Sequence, residues 1–415
     1  MNINTMNPIM LLIIVGIVLL VFLLGFIFMN YQSNTVTQFS GIQNDVNKMM
    51  QTYKVPGVIV AVSSPTEGIY ILKKGLSNIQ KNIPIDINTT WPIRSITKSF
   101  TVYLLLMLAS EGKISLDDPV DKYVKGFPNG NIITLRQLAY MSAGISDYIT
   151  SKFTEDFSKN PNKIFTLNEL NSYIERTPLF NPGNKHIYIN ANTNILGAVI
   201  EKVTGRSIGE VLETKILKPF GLNDTKYVTD VRNINDGVTG YQIQNETLKE
   251  QPNNMSIFGP SGSMISTLPD LLVWSKILVN GYLLSPEINK TRFIADKFDQ
   301  GPEYDRYGLG IGELNPSNLS LQGYLPFGMN GWWGHTGDGN GVTLLMMYNK
   351  EKNMSMVIFM NISNVVVNGV KTHLPPVVIA ASVITTLGNT PGELTGTVTF
   401  PVLITILVSS DLIFI

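Results

Sequence analysis

The chain has 415 residues, enough for two or three domain-sized units or for one large domain carrying an inserted subdomain. Its 31 basic and 31 acidic residues cancel and no basic run gathers into a patch, so nothing favours a nucleic-acid partner. There is no cysteine, which excludes disulfides, thiol nucleophiles and cysteine-bound metals; the three histidines, His186, His335 and His373, form no H-x-x-x-H pair that would suggest zinc.

In chain order, a short tail (residues 1–8) leads into Ile9 to Met29, 21 residues without a polar side chain. As a helix rising about 1.5 Å per residue, this run spans about 30 Å of hydrocarbon. It is expected to be a transmembrane anchor. A cleaved signal peptide is the alternative, but the run exceeds a usual h-region and no A-x-A-like site follows it. Residues 30–38 read as a polar linker, and residues 39–387 as the folded domain.

Within that domain, Phe39, Ile42, Val46, Met49 and Met50 are spaced for an amphipathic helix over Phe39 to Tyr53, and Pro56-Gly57 stops it. Val58 to Val62 and Ile69 to Leu72 read as two strands joined by a turn. Helices are predicted at Leu135 to Met141, Leu167 to Arg176, Asn194 to Val203 and Ile208 to Leu217. Val342 to Tyr348 and Met354 to Met360 flank a polar loop as a hairpin, and Pro376 to Leu387 forms a last helix. Strands near both ends with a helical middle, roughly residues 100–240, predict an α+β fold: a sheet built from distant segments, with a mainly helical insertion. Residues 388–415 are an apolar tail, and Pro401, Ser409, Ser410 and Asp411 within it leave a second membrane contact open.

Three stretches carry candidate chemistry. Ser95 and Lys98 stand at the start of the apolar run from Thr101 to Glu111, which ends at Gly112 and reads as a helix. Residues i and i+3 share a helix face, so the Lys98 amine can reach the Ser95 hydroxyl and help remove its proton. Ser110 and Lys113 repeat the spacing, but across Gly112, where the side chains need not share a face. Tyr188-Ile189-Asn190 lies between the Pro182-Gly183 turn and a helix expected to begin near Asn194. A tyrosine beside an ammonium group can act as general base and acid, and Asn190 can orient Lys98 or a substrate carbonyl. The third stretch, Trp333 to Gly339, precedes the late hairpin and is expected on an edge strand at the rim of the sheet. Its glycines allow a ligand backbone to approach, and His335 and Thr336 can bind a carboxylate or carbonyl.

Together these motifs resemble the S-x-x-K, Y-x-N and H-T-G triplet of the serine β-lactamase and D-alanyl-D-alanine carboxypeptidase superfamily. They appear here as Ser95-Ile96-Thr97-Lys98, Tyr188-Ile189-Asn190 and His335-Thr336-Gly337. Similar connecting text includes Gly112 to Val120, Ile133 to Leu138, Pro219 to Leu222 and Gly262 to Thr267, so the likeness runs from about Phe39 to Leu387. Ser158-Lys159-Asn160 also fits the S-x-N form of the second motif, but in a polar setting, and Tyr188 is the assignment made. The resemblance implies an antiparallel sheet flanked by helices plus a helical subdomain, with the site in the cleft between them. By resemblance, Ser95 attacks a carbonyl, Lys98 and Tyr188 shuttle its proton, and the oxyanion rests on the backbone N–H groups of Ser95 and Asp338. Asn190, His335, Thr336 and Gly337 bind substrate, and no metal or cofactor takes part.

Two departures stand out. His335 occupies the lysine position of most β-lactamases, which argues against efficient lactam hydrolysis, and Met141 to Ile145 stands where many relatives carry H-T-S-G. The expectation is a membrane-anchored serine hydrolase acting on a small peptide, amide or ester, its catalytic domain on the extracytoplasmic or lumenal side. An esterase of the same fold and an inactive membrane scaffold or binding protein are the alternatives.

Overall fold

The structure is a computed structural model. It describes residues 40–65, 68–230, 237–245, 247–294, 296–297, 304–314, 331–363, 365–367 and 370–372, with scattered positions of a helix between 376 and 383. The expected anchor and linker (residues 9–38), the tail from 388 and His373 lie outside the described residues.

The main sheet takes its strands from the two ends of the described chain. Strands β1 (Gly57–Ser64), β2 (Gly68–Asn78) and β3 (Ile83–Pro84) come from one end. Strands β4 (Asp296–Lys297), β5 (Tyr304–Tyr307), β6 (Gly312–Leu314), β7 (Trp332–Gly339), β8 (Val342–Asn349) and β9 (Met354–Met360) come from the other. Their order across the sheet is β3-β2-β1-β9-β8-β7-β6-β5-β4, with antiparallel neighbours throughout. Val60 of β1 faces Ile358 of β9, almost 300 positions away, which closes the sheet.

Both faces of the sheet are covered, which explains why β8 and β9 are buried along their whole length and show no polar alternation. On one face lies α1 (Ser40–Thr52), whose Ile42, Val46 and Met49 form the expected apolar stripe. Ile379, Ala380 and Val383, helical residues of the segment read as a last helix, are buried in the same cluster. Against the other face pack α2 (Ile96–Ser110) and α4 (Leu268–Asn280), with α3 (Asn190–Thr204) behind α2. Helix α2 is buried from Ile96 to Leu108, on every side, because it has neighbours on every side. Phe100 stacks on Trp274 of α4 at 4.0 Å between ring centroids, and the Trp274 indole N–H donates to Ser99 Oγ at 2.9 Å. Helix α2 stops where the sequence placed its end, with Gly112 in the left-handed region at φ 69°.

Two expectations change. The helix after Tyr188 begins at Asn190, not near Asn194. The residue before it, Ile189, makes no side-chain cap; the Asp147 carboxylate does this from another part of the chain, accepting from the N–H of Asn190 (3.3 Å) and of Ala191 (3.2 Å). A cap 43 residues away leaves no local trace. Strand β7, expected at the rim, is interior, between β8 and β6. Strand β6 is short, however, and pairs with β7 at Trp333 and Gly334, before His335, Thr336 and Gly337 are reached.

Candidate active site

Between Trp91 and Phe100, every residue is buried except Ser95, which keeps partial access to solvent at the N-terminal end of α2. The two-residue strand Trp91–Pro92 pairs with Met264–Ser266 and fixes the chain just ahead of it. Arg94, next to Ser95, adopts the left-handed region at φ 49°, an uncommon conformation for a side chain of its size. Its guanidinium is buried and holds the turn in place. Nε donates to Gly339 O at 3.0 Å, and Nη2 to Asn253 Oδ1 at 3.1 Å and Asn340 O at 3.3 Å, while the group lies 4.6 Å from the centre of the Phe258 ring. Arg94 thereby ties the Ser95 turn to the end of β7. Burial pushes its pKa down to about 9, and the charge of Asp338 opposes that.

Lys98, one turn into α2, is fully buried, and its Nζ meets three oxygens: Ser95 Oγ at 2.9 Å, Asn190 Oδ1 at 2.8 Å and Ser261 O at 3.0 Å. The spacing argument for Ser95 and Lys98 corresponds to a hydrogen bond. Helix α3 arranges the other two acceptors. Asn190 bonds Lys98 directly, and Asn194, one turn on and on the same face, accepts from the N–H of Ser261 at 3.0 Å. Desolvation pushes the Lys98 pKa down to about 7, partly offset by the Asp147 charge. An amine with that pKa is a usable base near neutrality.

Tyr188 is half-buried, and Lys98 Nζ lies 4.8 Å from its ring centroid, over the aromatic face. The ring packs edge-on to Tyr307 at 6.0 Å and lies 6.1 Å from the His335 ring. The motifs carrying Ser95, Tyr188 and His335 thus meet around one amine. The rival serine motifs do not join them: Ser158 Oγ donates to Thr154 O on an exposed helix with Lys159 bonded to Glu155, and Ser110 Oγ donates to Leu106 O.

On β7, Gly337 lies so close to the chain before Ser95 that a Cβ would overlap the Ile93 carbonyl oxygen. Half-exposed Asp338 follows, its Oδ1 accepting from Thr343 Oγ1 at 2.8 Å. The placement of His335 differs from its expected contact with substrate. It is fully buried, with Nδ1 2.7 Å from Thr336 O and Nε2 3.0 Å from the Tyr307 hydroxyl. An Nδ1–H that donates to Thr336 O leaves Nε2 to accept from Tyr307. Burial and the nearby Lys98 charge push its pKa down to about 3, so the ring is neutral at physiological pH. The Tyr304 hydroxyl accepts from Thr336 N–H at 2.6 Å and lies 2.9 Å from Thr336 Oγ1. His335 therefore acts on the shape of β7, while the half-buried Thr336 and Asp338 are its more accessible side chains.

Arg94, Asp147, Asn194, Ser261, Tyr304 and Tyr307 were not singled out from the sequence. Asn190 and Asn194, four apart on a helix, were the readable signal; the others act through long-range contacts. Met141, in the segment that departs from H-T-S-G, is buried at φ 59°, and its Sδ accepts from Asn192 Nδ2 at 3.3 Å behind the site.

Residues 42–372 match the family model described as Beta-lactamase. Protein flp of Staphylococcus aureus (strain MRSA252) is 27% identical over 336 residues, covering 78% of this chain; the chain spans 63% of that curated relative's length. Among solved structures, a D-stereospecific amidohydrolase from Streptomyces sp. superposes with a TM-score of 0.66 at 26% identity, over 81% of this chain and 97% of the other. A D-amino acid amidase from Ochrobactrum anthropi SV3, complexed with L-phenylalanine amide, superposes at 0.72 over 85% and 99% of the two chains; at 20% identity it speaks to the fold alone. With four fifths of the chain inside the matched region and the three motifs gathered around the Lys98 amine, the chain belongs to the beta-lactamase family, a family of serine hydrolases.

Proposed function

We propose that this protein is a membrane-anchored serine hydrolase that cleaves an amide or peptide bond through an acyl-enzyme on Ser95. The observation that carries the reading is the surroundings of Lys98. Asn190 Oδ1 and Ser261 O can only accept hydrogen bonds, so they take both N–H groups of a neutral Lys98 amine and leave its lone pair facing the Ser95 hydroxyl. Lys98 takes the proton as Ser95 Oγ attacks the substrate carbonyl carbon, and the N–H groups of Ser95 and Asp338 receive the oxyanion. Tyr188, whose ring lies against Lys98, carries the proton on to the leaving amine, and water then releases the acyl group by the reverse path. His335 contributes by holding Thr336 in place, not by touching substrate, and Asn190, Thr336 and Gly337 line the substrate's approach.

Amides of amino acids, D-amino acids in particular, are the proposed substrate class. The name of the relative at 26% identity, a D-stereospecific amidohydrolase, and the neutral His335 at the position of the β-lactamase lysine support this choice. The apolar run from Ile9 to Met29 supports attachment to a membrane, and the extracytoplasmic or lumenal side is the proposed place of the hydrolase domain.

The test is intact-mass spectrometry of the full chain after exposure to a fluorophosphonate, beside release of ammonia from D- and L-phenylalanine amide. One adduct per chain, absent in Ser95→Ala, together with faster turnover of the D-amide, is the expected result. A folded protein that takes up no reagent and cleaves neither amide would leave an inactive scaffold as the better reading.

A further inference from the structure

We propose that Asp147 is a positioning residue for the Ser95–Lys98 pair: by holding the Asn190 amide in one of its two orientations, it aims the Lys98 lone pair at Ser95. The inference rests on the proposed role of Lys98 as base, and it concerns a residue outside the three motifs.

The side-chain amide of Asn190 has a donor end and an acceptor end. Its Nδ2 donates to Asp147 Oδ2 at 3.0 Å, and its Oδ1 accepts from Lys98 Nζ at 2.8 Å. A carboxylate only accepts, so Asp147 can satisfy only the donor end. A flipped amide would set Oδ1 against Asp147 and present Nδ2 to Lys98. Nδ2 would then donate to the lone pair of the neutral amine and compete with the Ser95 hydroxyl for it. Asp147 is itself held by three converging backbone N–H groups, those of Tyr148 (2.8 Å), Asn190 (3.3 Å) and Ala191 (3.2 Å), the last two at the start of α3. The carboxylate is thus fixed on one side of the amide and the amine on the other.

Charge adds a second effect. The Asp147 carboxylate favours the ammonium form of Lys98, against the desolvation that disfavours it. The other titratable groups facing Lys98 are Tyr188, from the segment before α3, and His335, from β7. His335 is held neutral, so Asp147 is the anionic group that sets the balance. Arg94, on the turn before Ser95, directs its guanidinium at Gly339, Asn340 and Asn253.

The experiment is the pH dependence of the second-order rate of fluorophosphonate labelling at Ser95, in the full chain and in Asp147→Asn, Asp147→Glu, Asn190→Ala and the Asp147→Asn/Asn190→Ala double variant. Asparagine at 147 can donate as well as accept, which frees the Asn190 amide to flip. The maximal rate of Asp147→Asn is expected to fall on the order of 10²-fold, a general base's share of the reaction. Its rising limb moves to lower pH than in the parent, because the charge that favoured the ammonium is gone. Asp147→Glu keeps the charge and is expected to lose less rate and leave the limb where it was. In the Asn190→Ala background, Asp147→Asn is expected to change the maximal rate less than about twofold, since the amide it controls is missing. Parent-like labelling by Asp147→Asn, or an equal loss in both backgrounds, would overturn the positioning role alone. Absence of Ser95 labelling in the parent chain would instead overturn the hydrolase reading, and the proposal with it.

Discussion

A lysine buried without a carboxylate in contact is costly, and Lys98 shows how the fold manages it. Three oxygens receive its nitrogen while desolvation pushes its pKa down to about 7, well below the usual 10.5. The base must be neutral to accept a proton, so Ser95 labelling should rise with pH through about 7 and then level. Flat labelling between pH 5.5 and 8.5 would count against Lys98 as the base. The same shift makes a stability prediction with a fixed sign. Between about pH 7 and 10.5 the unfolded chain keeps the Lys98 proton and the folded chain does not, so folding gains stability as pH rises through this window. Lys98→Met has no such proton. The melting temperature of the parent minus that of the variant should therefore grow from pH 7 to pH 10, which paired calorimetric scans can read.

Arg94 is a second residue whose backbone and side chain pull in different directions. Its φ of 49° suits glycine, whereas its guanidinium links the Ser95 turn to Gly339, the last residue of β7, and to Asn340 just beyond it. If backbone strain dominated, Arg94→Gly would be at least as reactive as the parent. The linkage argument predicts the opposite, a labelling rate reduced about tenfold or more, because the turn carrying one proposed oxyanion donor loses its tie to the strand carrying the other.

Among the elements, β7 and the turn that leads into α2 have to approach closely, and Gly337 is where they do. Adding a Cβ there forces the strand away from Ile93, so Gly337→Ala should cost about 1–3 kcal/mol in a urea titration and weaken labelling at the same time. Contrast is provided by the exposed capping boxes. Thr166 Oγ1 accepts from Glu169 N–H at 3.2 Å while the Glu169 carboxylate accepts from Thr166 N–H at 2.8 Å, at the start of the helix Leu167–Ser172. Thr166→Ala should cost about 1 kcal/mol and leave the labelling rate unchanged. A larger effect on labelling than on stability would mean that this helix bears on the site.

Elements with local signals were also the ones readable in advance. The α1 stripe, the end of α2 at Gly112 and the β8–β9 hairpin follow from spacing, a helix-stopping glycine and two mainly apolar runs flanking a polar loop. The start of α3 and the interior place of β7 were misread because neither is local. A carboxylate 43 residues away caps the first, and the second is decided by β6, whose pairing with β7 stops short of the H-T-G segment.

For the whole molecule, the proposed anchor and the folded domain should be separable. Deleting residues 1–38 should move the protein from the membrane fraction to the soluble fraction with the Ser95 labelling rate unchanged. Extending the deletion through Tyr53 should unfold it, since Ile42, Val46 and Met49 of α1 cover one face of the sheet. Fractionation and thermal melts of the two truncations read both outcomes.

Sequence by itself determined the family, the order and spacing of the three motifs, and the Ser95–Lys98 pairing, because these depend on identity and on separations of a few residues along one helix. It also showed that a sheet would have to join distant segments. Tertiary structure alone decided that Lys98 is dry, that His335 faces two tyrosines and is neutral, and that Asn190 and Ser261 meet the amine, held in turn by Asp147 and Asn194. Desolvation and amide orientation are properties of what surrounds a group in space. Here the oxygens that meet Lys98 from outside its own helix come from 92 and 163 positions away, brought together only when the chain folds.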